Sequence, residues 1–436
     1  MTVLLALLCA LAHAEVVSVH VAGVPVAWMD DPEAGRSRIL WSLARGSADS
    51  EAPEDLALLM VAMNQGTLGH PGPRWRWELG QVGASVRIGA SAHRLWVWLE
   101  APVGHEAEAV ELLVEMLSDP QLHPGQLRAS RRELARERSF TSRTEVVHRA
   151  REVWLGARGC PVEPPLAWGG SPRIGTRARL RRLHGEILED GEPSVLIHGP
   201  RSPEELEGPL AVLAGWGGES VRLECSLSSQ SEHFESQIIA VHREGERAVV
   251  HALQPVASDA SGTHAMAAWV LMKGFSSRVN RALRTESGWT YGSWTEIRQL
   301  SGLRVLEMEL ETDVGRALDA ILLIEEVLAS SAPINEEELI AARVQAEQES
   351  VRRQMDPSAW MAWASWRQHL GLLEQEQERA LENVSLEEVR AAAEEVRSGA
   401  RRSWLIVGDV EQILLAAEAS GVSVDEVWTM EDIGLD

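Results

Sequence analysis

Apolar residues alternate with polar ones over several short runs and recur at spacings of three and four over longer ones, so strands and amphipathic helices are interleaved along the chain. Residues 17–28 read as strand, turn and strand around Gly23-Val24-Pro25, and 38–44 as a further strand. A helix over 54–65 ends at Gly66-Thr67, and a short one covers 75–81. Residues 84–90 and 94–99 read as paired strands, with Trp96 and Trp98 on one face as core side chains. Helical spacing covers 106–117, and a longer arginine-rich stretch, 124–155, reads as one helix. A Pro/Gly-rich loop at 156–170 precedes a basic helix (177–188), a strand (194–199) and a helix (203–214).

The stretch 226–236, rich in Ser, Gln and Glu, reads as a linker, and after it the pattern begins again. Strands are expected at 238–242, 248–254 and 303–311, and helices at 263–272, 315–329, 335–354 and 357–372. The last of these carries a stripe of Trp360, Trp363 and Trp366, which reads as core. Ser385 and Glu388 make a capping-box pair for a helix over 386–397, and 404–407 is a late strand. Without a regular strand–helix–strand beat the fold class is α+β: two halves of about 200 residues, each a mainly antiparallel sheet packed with helices.

Composition narrows the partners. The net charge is −24, with 40 arginines and a single lysine, Lys273. Such acidity argues against nucleic acid or an anionic membrane as a partner. Residues 3–11 form a short apolar run ending in Ala12-His13-Ala14, as in a cleaved secretory signal, and no later stretch is apolar enough to span a membrane. The expected organisation is a leader (1–14), a first domain (15–225), the linker (226–236) and a second domain (237–436), in an exported protein, periplasmic or extracellular. Removal of the leader leaves Cys160 and Cys225, which export permits to pair but which no spacing requires to do so.

Candidate chemistry concentrates in 273–296, K-G-F-S-S-R-V-N-R-A-L-R-T-E-S-G-W-T-Y-G-S-W-T-E. Ser276 or Ser277 can cap a helix whose apolar face is Val279, Ala282 and Leu283, and Gly288 stands where such a helix stops. Residues 289–294 read as a short strand. Arg284 and Tyr291, the chain's one tyrosine, frame this corner. On pattern alone Tyr291 reads as a core residue and Arg284 as a cation favouring the helix C-terminus.

The run 274–292 resembles the second-half signature of the insulinase-type (pitrilysin) metallopeptidases: glycine turn, S-S-R, helix, L-R, then G-x-x-Y. Gly66-Thr67, the G-A at Gly83 and the L-I-V-G-D beginning at Leu405 also fit. The resemblance implies two related halves and places Arg284 and Tyr291 as residues that hold the substrate carbonyl. It also implies an inverted H-x-x-E-H on the first helix, where two imidazoles bind zinc and a glutamate removes a proton from bound water. Here Ala57 and Val61 replace both histidines and Met60 replaces the glutamate. Glu137 stands near the position of the third ligand, and one carboxylate does not hold a metal. The strand after G-A reads Arg87-Ile88-Gly89-Ala90 where the family carries N-A-x-T.

The sequence therefore implies no metal in this chain and no independent peptidase activity. Many members of the family work as pairs, so the leading expectation is a zinc-less subunit that lends Arg284 and Tyr291 to a zinc-bearing paralogue acting on peptides. The alternative is a catalytically dead peptide-binding or scaffolding protein with the same fold.

Overall fold

A computed structural model of the protein describes residues 16–435 apart from 22–23, 47–49, 51–52, 92–93, 139–142, 161–174, 190, 215, 217–233, 257–261, 301–302, 331, 370–383 and 399–400. The expected leader, most of the 226–236 linker and Cys225 lie outside these residues, as do the side chains of Glu137, Trp363 and Trp366.

The strands are β1 (Val16–Val21), β2 (Val24–Asp30), β3 (Arg36–Leu43), β4 (Ser85–Ser91), β5 (Arg94–Pro102), β6 (Pro193–Gly199), β7 (Ile238–His242), β8 (Arg247–Pro255), β9 (Ser293–Leu300), β10 (Leu303–Asp313), β11 (Ser403–Gly408) and β12 (Glu426–Trp428). Among the helices are α1 (Pro53–Met63), α2 (Pro124–Arg138), α3 (Arg143–Gly156), α4 (Glu336–Met355), α5 (Pro357–His369), α6 (Leu386–Arg397) and α7 (Val410–Ser420).

Two six-stranded sheets form, in the orders β1-β2-β6-β3-β5-β4 and β12-β7-β11-β8-β10-β9. The permutation is the same in both: the late strand, β6 or β11, inserts between the two early ones, parallel to one and antiparallel to the other. Only the far edge differs, where β1 pairs antiparallel with β2 and β12 pairs parallel with β7. The two halves thus repeat one architecture, mainly antiparallel and packed with helices.

The chain forms two compact units. One contains Met1–Phe140, Leu166–Leu223 and Ser350–Leu373; the other contains Thr141–Pro165, Glu224–Glu349 and Glu374–Asp436. Each unit therefore takes its sheet from one half of the chain and a helical segment from the other.

In the first unit, Leu56, Leu58, Leu59 and Met63 of α1 and Leu127 and Leu134 of α2 pack with Ile39, Trp41, Val97 and Leu99 of the sheet. The opposite face of this sheet offers Ala27, Met29, Leu40, Trp98 and Leu196, covered by Trp360, Met361 and Ala364 of α5. Trp98 and Trp360 are core residues, as their positions predict.

In the second unit, one sheet face carries Val250, Leu306, Met308 and Ile406 into a core with the surrounding helices. The other face receives Val146, Val147, Ala150 and Trp154 of α3 against Val249, Leu253, Val305 and Leu405. The stretch 124–155 is accordingly two helices in two units, not one.

Helix ends follow the local chemistry. Ser385 accepts from the Glu388 N–H while the Glu388 carboxylate accepts from the Ser385 N–H at 2.8 Å, the capping box expected for α6. Asp409 caps α7 through the Gln412 N–H, and Gly421, at φ 67°, ends it in the left-handed conformation.

Candidate functional site

The corner begins where the helix Gly262–Ala268 widens into π turns over Trp269–Lys273. The Gly274 N–H donates to the Trp269 carbonyl at 3.1 Å, and the Ser277 N–H donates to the Gly274 carbonyl at 2.8 Å. Ser277 is the N-cap, its hydroxyl accepting from the Asn280 N–H at 3.3 Å. The helix then runs over Arg278–Asn280 and widens again into π turns over Arg281–Glu286. Local π turns are uncommon and concentrate at functional positions. Val279 and Leu283 are fully buried and Ala282 nearly so, the apolar face that the spacing predicts.

Gly288 ends this helix at φ 68°, a conformation that costs glycine little. The Trp289 N–H returns to the Leu283 carbonyl at 2.9 Å. The stretch 289–294 is not a strand throughout. Thr290 folds back, its hydroxyl donating to the Gly292 carbonyl (2.9 Å) and accepting from the Gly292 N–H (3.3 Å). That local competition for backbone partners makes a turn, and pairing with β10 starts only at Ser293, opposite Leu310.

Tyr291 sits at the tip of this turn and is 90% exposed, so it is not a core tyrosine. Arg284 is exposed on the preceding helix, its guanidinium 4.2 Å from the ring centroid of Phe275, which is itself 72% exposed. The two residues singled out by the motif therefore share one solvent-facing corner.

Asn280 and Phe275 belong to this corner and escaped the sequence reading. Asn280 is buried, and its amide donates to the carbonyls of Met272, Lys273 and Gly274 while its oxygen accepts from Ser293. The available signal was a lone asparagine three residues after the cap. Phe275 gave none, since a phenylalanine after a glycine turn is ordinary.

The first-half positions are in the other unit. Ala57 and Val61 are half-buried one helical turn apart on α1, while Met60, 4% exposed, belongs to the apolar core. Asp55 clamps the first turn of α1, accepting from the Gly175 N–H at 2.6 Å and pairing with Arg179 at 2.7 Å. Arg131 of α2 donates to the Gly175 carbonyl at 2.9 Å, and a Cβ at Gly175 would overlap Leu58. Glu137 lies on α2, which packs against α1, with its side chain outside the described residues. Ala57 and Val61 have no donor atom and the Met60 thioether is packed in the apolar core, so zinc, which is held by Cys, His, Asp or Glu, does not fit here. Among the described residues no group of three or more His, Cys, Asp or Glu is placed to hold a metal ion.

On β4, an edge strand, the Arg87 guanidinium approaches Glu100 at 3.6 Å and lies 5.4 Å from the Trp98 ring, and a Cβ at Gly89 would strike Trp96.

A second polar cluster lies beneath α3. Glu307 is fully buried, 3.2 Å from Arg151 and 3.5 Å from Arg298. His251 is buried with Nδ1 3.3 Å from Glu309 and Nε2 3.7 Å from Glu307. Burial alone would raise the Glu307 carboxyl, but His251, Arg151 and Arg298 outweigh it and hold the carboxyl down at about 2. Burial alone would likewise lower His251, but Glu307 and Glu309 hold it above its ordinary value. The charges of the cluster pair with one another, and its Glu309 end is partly exposed and lines an open cavity with Lys273, Ser293 and Glu349.

Chemically the corner offers a guanidinium and a phenol, both donors, to an acceptor oxygen.

No protein-family model matches the sequence, and no curated protein matches it. Solved structures do match in fold. The peptidase M16 inactive domain from Pseudomonas fluorescens superposes with a TM-score of 0.73 at 16% identity, over 91% of this chain and 98% of that one. A protease from Helicobacter pylori gives 0.71 at 12% identity, over 91% and 99%. The periplasmic protease PqqL from Escherichia coli gives 0.67 at 12% identity, with 93% of this chain covering 48% of that one. The chain has the two-halved fold of the insulinase-type, or M16, peptidases.

Proposed function

We propose that this chain, built on the M16 peptidase fold, is a zinc-less subunit of a heteromeric insulinase-type endopeptidase. Arg284 and Tyr291 reach a peptide held in a zinc-bearing paralogue's active site and donate to the substrate carbonyl. Charge grows on that oxygen in the transition state, and one donor aimed at it contributes roughly 3–4 kcal/mol.

The observation that carries this reading is the 90% exposure of Tyr291. A tyrosine whose role was to fasten a helix to a sheet would be buried with its ring against the core. This one projects from a turn that Thr290, Gly292 and Asn280 hold in place, beside an exposed arginine. The apolar character of Ala57, Met60 and Val61 leaves metal chemistry to a partner.

Export is part of the proposal. Cys160 is disulfide-bonded, and Cys9 and Cys225, the other cysteines, lie outside the described residues. A structural disulfide suits the periplasm or the exterior, and so does the apolar run ending at Ala14. No described helix is long and apolar enough to cross a membrane.

The test is affinity purification of the mature protein from its host's envelope, followed by mass spectrometry. A homologue with an intact H-x-x-E-H in comparable amount supports the pair. Recovery alone, or with unrelated proteins, favours a peptide-binding scaffold instead.

A further inference from the structure

The cationic side chains around the corner are, with one exception, tied to carboxylates. Lys273 pairs with Glu349 at 3.0 Å and Arg278 with Glu338 at 2.7 Å. Arg281 pairs with Glu286 at 3.8 Å, Arg298 with Glu296 at 3.1 Å and Arg316 with Asp319 at 2.9 Å. The exception is Arg284, which has no carboxylate within ion-pair distance among the described residues, in a chain with 65 acidic residues. Its contact is the face of Phe275.

Phe275 is placed by backbone bonds on both sides. Gly274 is tied to Trp269, Ser277 to Gly274, and the Ser276 hydroxyl accepts from the Gln345 amide of α4 at 2.9 Å. The ring itself is largely in solvent and belongs to no core cluster, so folding does not account for it. A guanidinium lying over an aromatic face is attracted to it, yet its N–H groups, which point outward in the guanidinium plane, stay free for an acceptor. An acidic neighbour would occupy those same donors.

We propose that Phe275 is a positioning residue for Arg284: it holds the guanidinium over the corner without an internal counter-ion, so that the N–H edge is ready for an incoming peptide oxygen. This rests on the reading that Arg284 grips a peptide, and it extends that reading to a residue outside the Arg/Tyr pair. Phe275 acts through Arg284 and is not a substrate contact in its own right.

The test uses the full mature chain and a fluorescein-labelled unfolded polypeptide, reduced and carboxamidomethylated lysozyme, with binding followed by anisotropy. Arg284→Ala is expected to weaken binding, and Phe275→Ala to weaken it about two- to five-fold, the range of an exposed cation–π contact. Phe275→Tyr is expected to bind as wild type, and Phe275→Ala/Arg284→Ala to bind no worse than Arg284→Ala alone. Wild-type affinity in Phe275→Ala alongside a weakened Arg284→Ala overturns the positioning role and leaves the peptide-gripping reading standing. Losses that multiply in the double variant also overturn it, since they make the ring an independent contact. No polypeptide binding lost in Arg284→Ala, in the chain alone or paired with its zinc-bearing partner, removes the reading itself and this inference with it. A ligand-free check is phenylglyoxal modification read by peptide mass spectrometry. Phe275→Ala is expected to speed reaction at Arg284 about two- to five-fold while Arg281 is unchanged; an unchanged rate at Arg284 contradicts the stack.

Discussion

The side-chain oxygen of Asn280 accepts from both the N–H of Ser293, at 2.9 Å, and its hydroxyl, at 3.0 Å. Through its amide the same residue holds the Met272–Gly274 carbonyls, so one side chain joins the turn before the helix to the first residue of β9. Arg284 and Tyr291 lie between those two anchors. Replacing Asn280 by leucine keeps the approximate volume and leaves these buried donors and acceptors without partners. A loss of about 2–3 kcal/mol is expected by urea unfolding of the second unit, since each orphaned buried group costs about 1–3 kcal/mol. A variant as stable as wild type would mean that the corner is held by something else.

The face of α1 that lacks metal ligands is also a packing surface. Met60→Glu places a carboxylate among Leu56, Leu59 and Met63. It is expected to destabilise the protein by about 2–4 kcal/mol, measured by denaturant midpoint, because a buried unpaired acid must be desolvated or neutralised. Chelation is expected to leave the melting temperature of the isolated chain unchanged, since nothing that binds only the folded state is being removed. A fall in Tm with EDTA would reveal a structural metal.

The cluster beneath α3 makes stability pH-dependent on two sides. Glu307 is held at about 2, below its ordinary 4.5, so its contribution is complete above that ordinary value and is lost as pH falls toward 2. His251 is held above 6.5, so its contribution is complete below that value and is lost as pH rises through the higher, folded one. Urea midpoints from about pH 2 to about pH 9 are expected to fall at both ends. Glu307→Gln flattens the acid limb and His251→Gln the alkaline limb. Limbs of unchanged slope in these variants would assign the titration to other groups.

Cys160 predicts a covalent test of export. Alkylation of the unreduced, denatured mature chain is expected to leave Cys160 unlabelled, and reduction to expose it, as read by peptide mass spectrometry. Full labelling before reduction would place the folded protein in a reducing compartment.

Much of the architecture was legible because its local chemistry is self-sufficient. The capping box at Ser385 and Glu388, the stop at Gly288 and the alternation along β10 each fix an element without help from elsewhere. The division of 124–155 between two helices was not legible, because packing of α3 on the second sheet is what gives α2 and α3 to different units. Trp289, Thr290 and Tyr291 have strand-forming side chains, yet the Thr290 hydroxyl captures Gly292 and turns the chain. That turn is what exposes Tyr291, so the strand-like pattern alone assigned it to the core. The motif located Arg284 and Tyr291, but Phe275 and Asn280 act through three-dimensional neighbours that no spacing encodes. The repeat of the two halves is likewise carried by strand order rather than by matching residues.

On the proposed function this chain contributes donors, and no metal chemistry, to a shared active site. The decisive measurement is hydrolysis of an unfolded polypeptide by the reconstituted pair, with Arg284→Ala and Tyr291→Phe introduced in this chain only. No hydrolysis by this chain alone is expected, and a drop in kcat of about 10²-fold or more is expected for the pair carrying either variant. A pair whose kcat is untouched by both variants, or a chain that hydrolyses the polypeptide by itself, would contradict it.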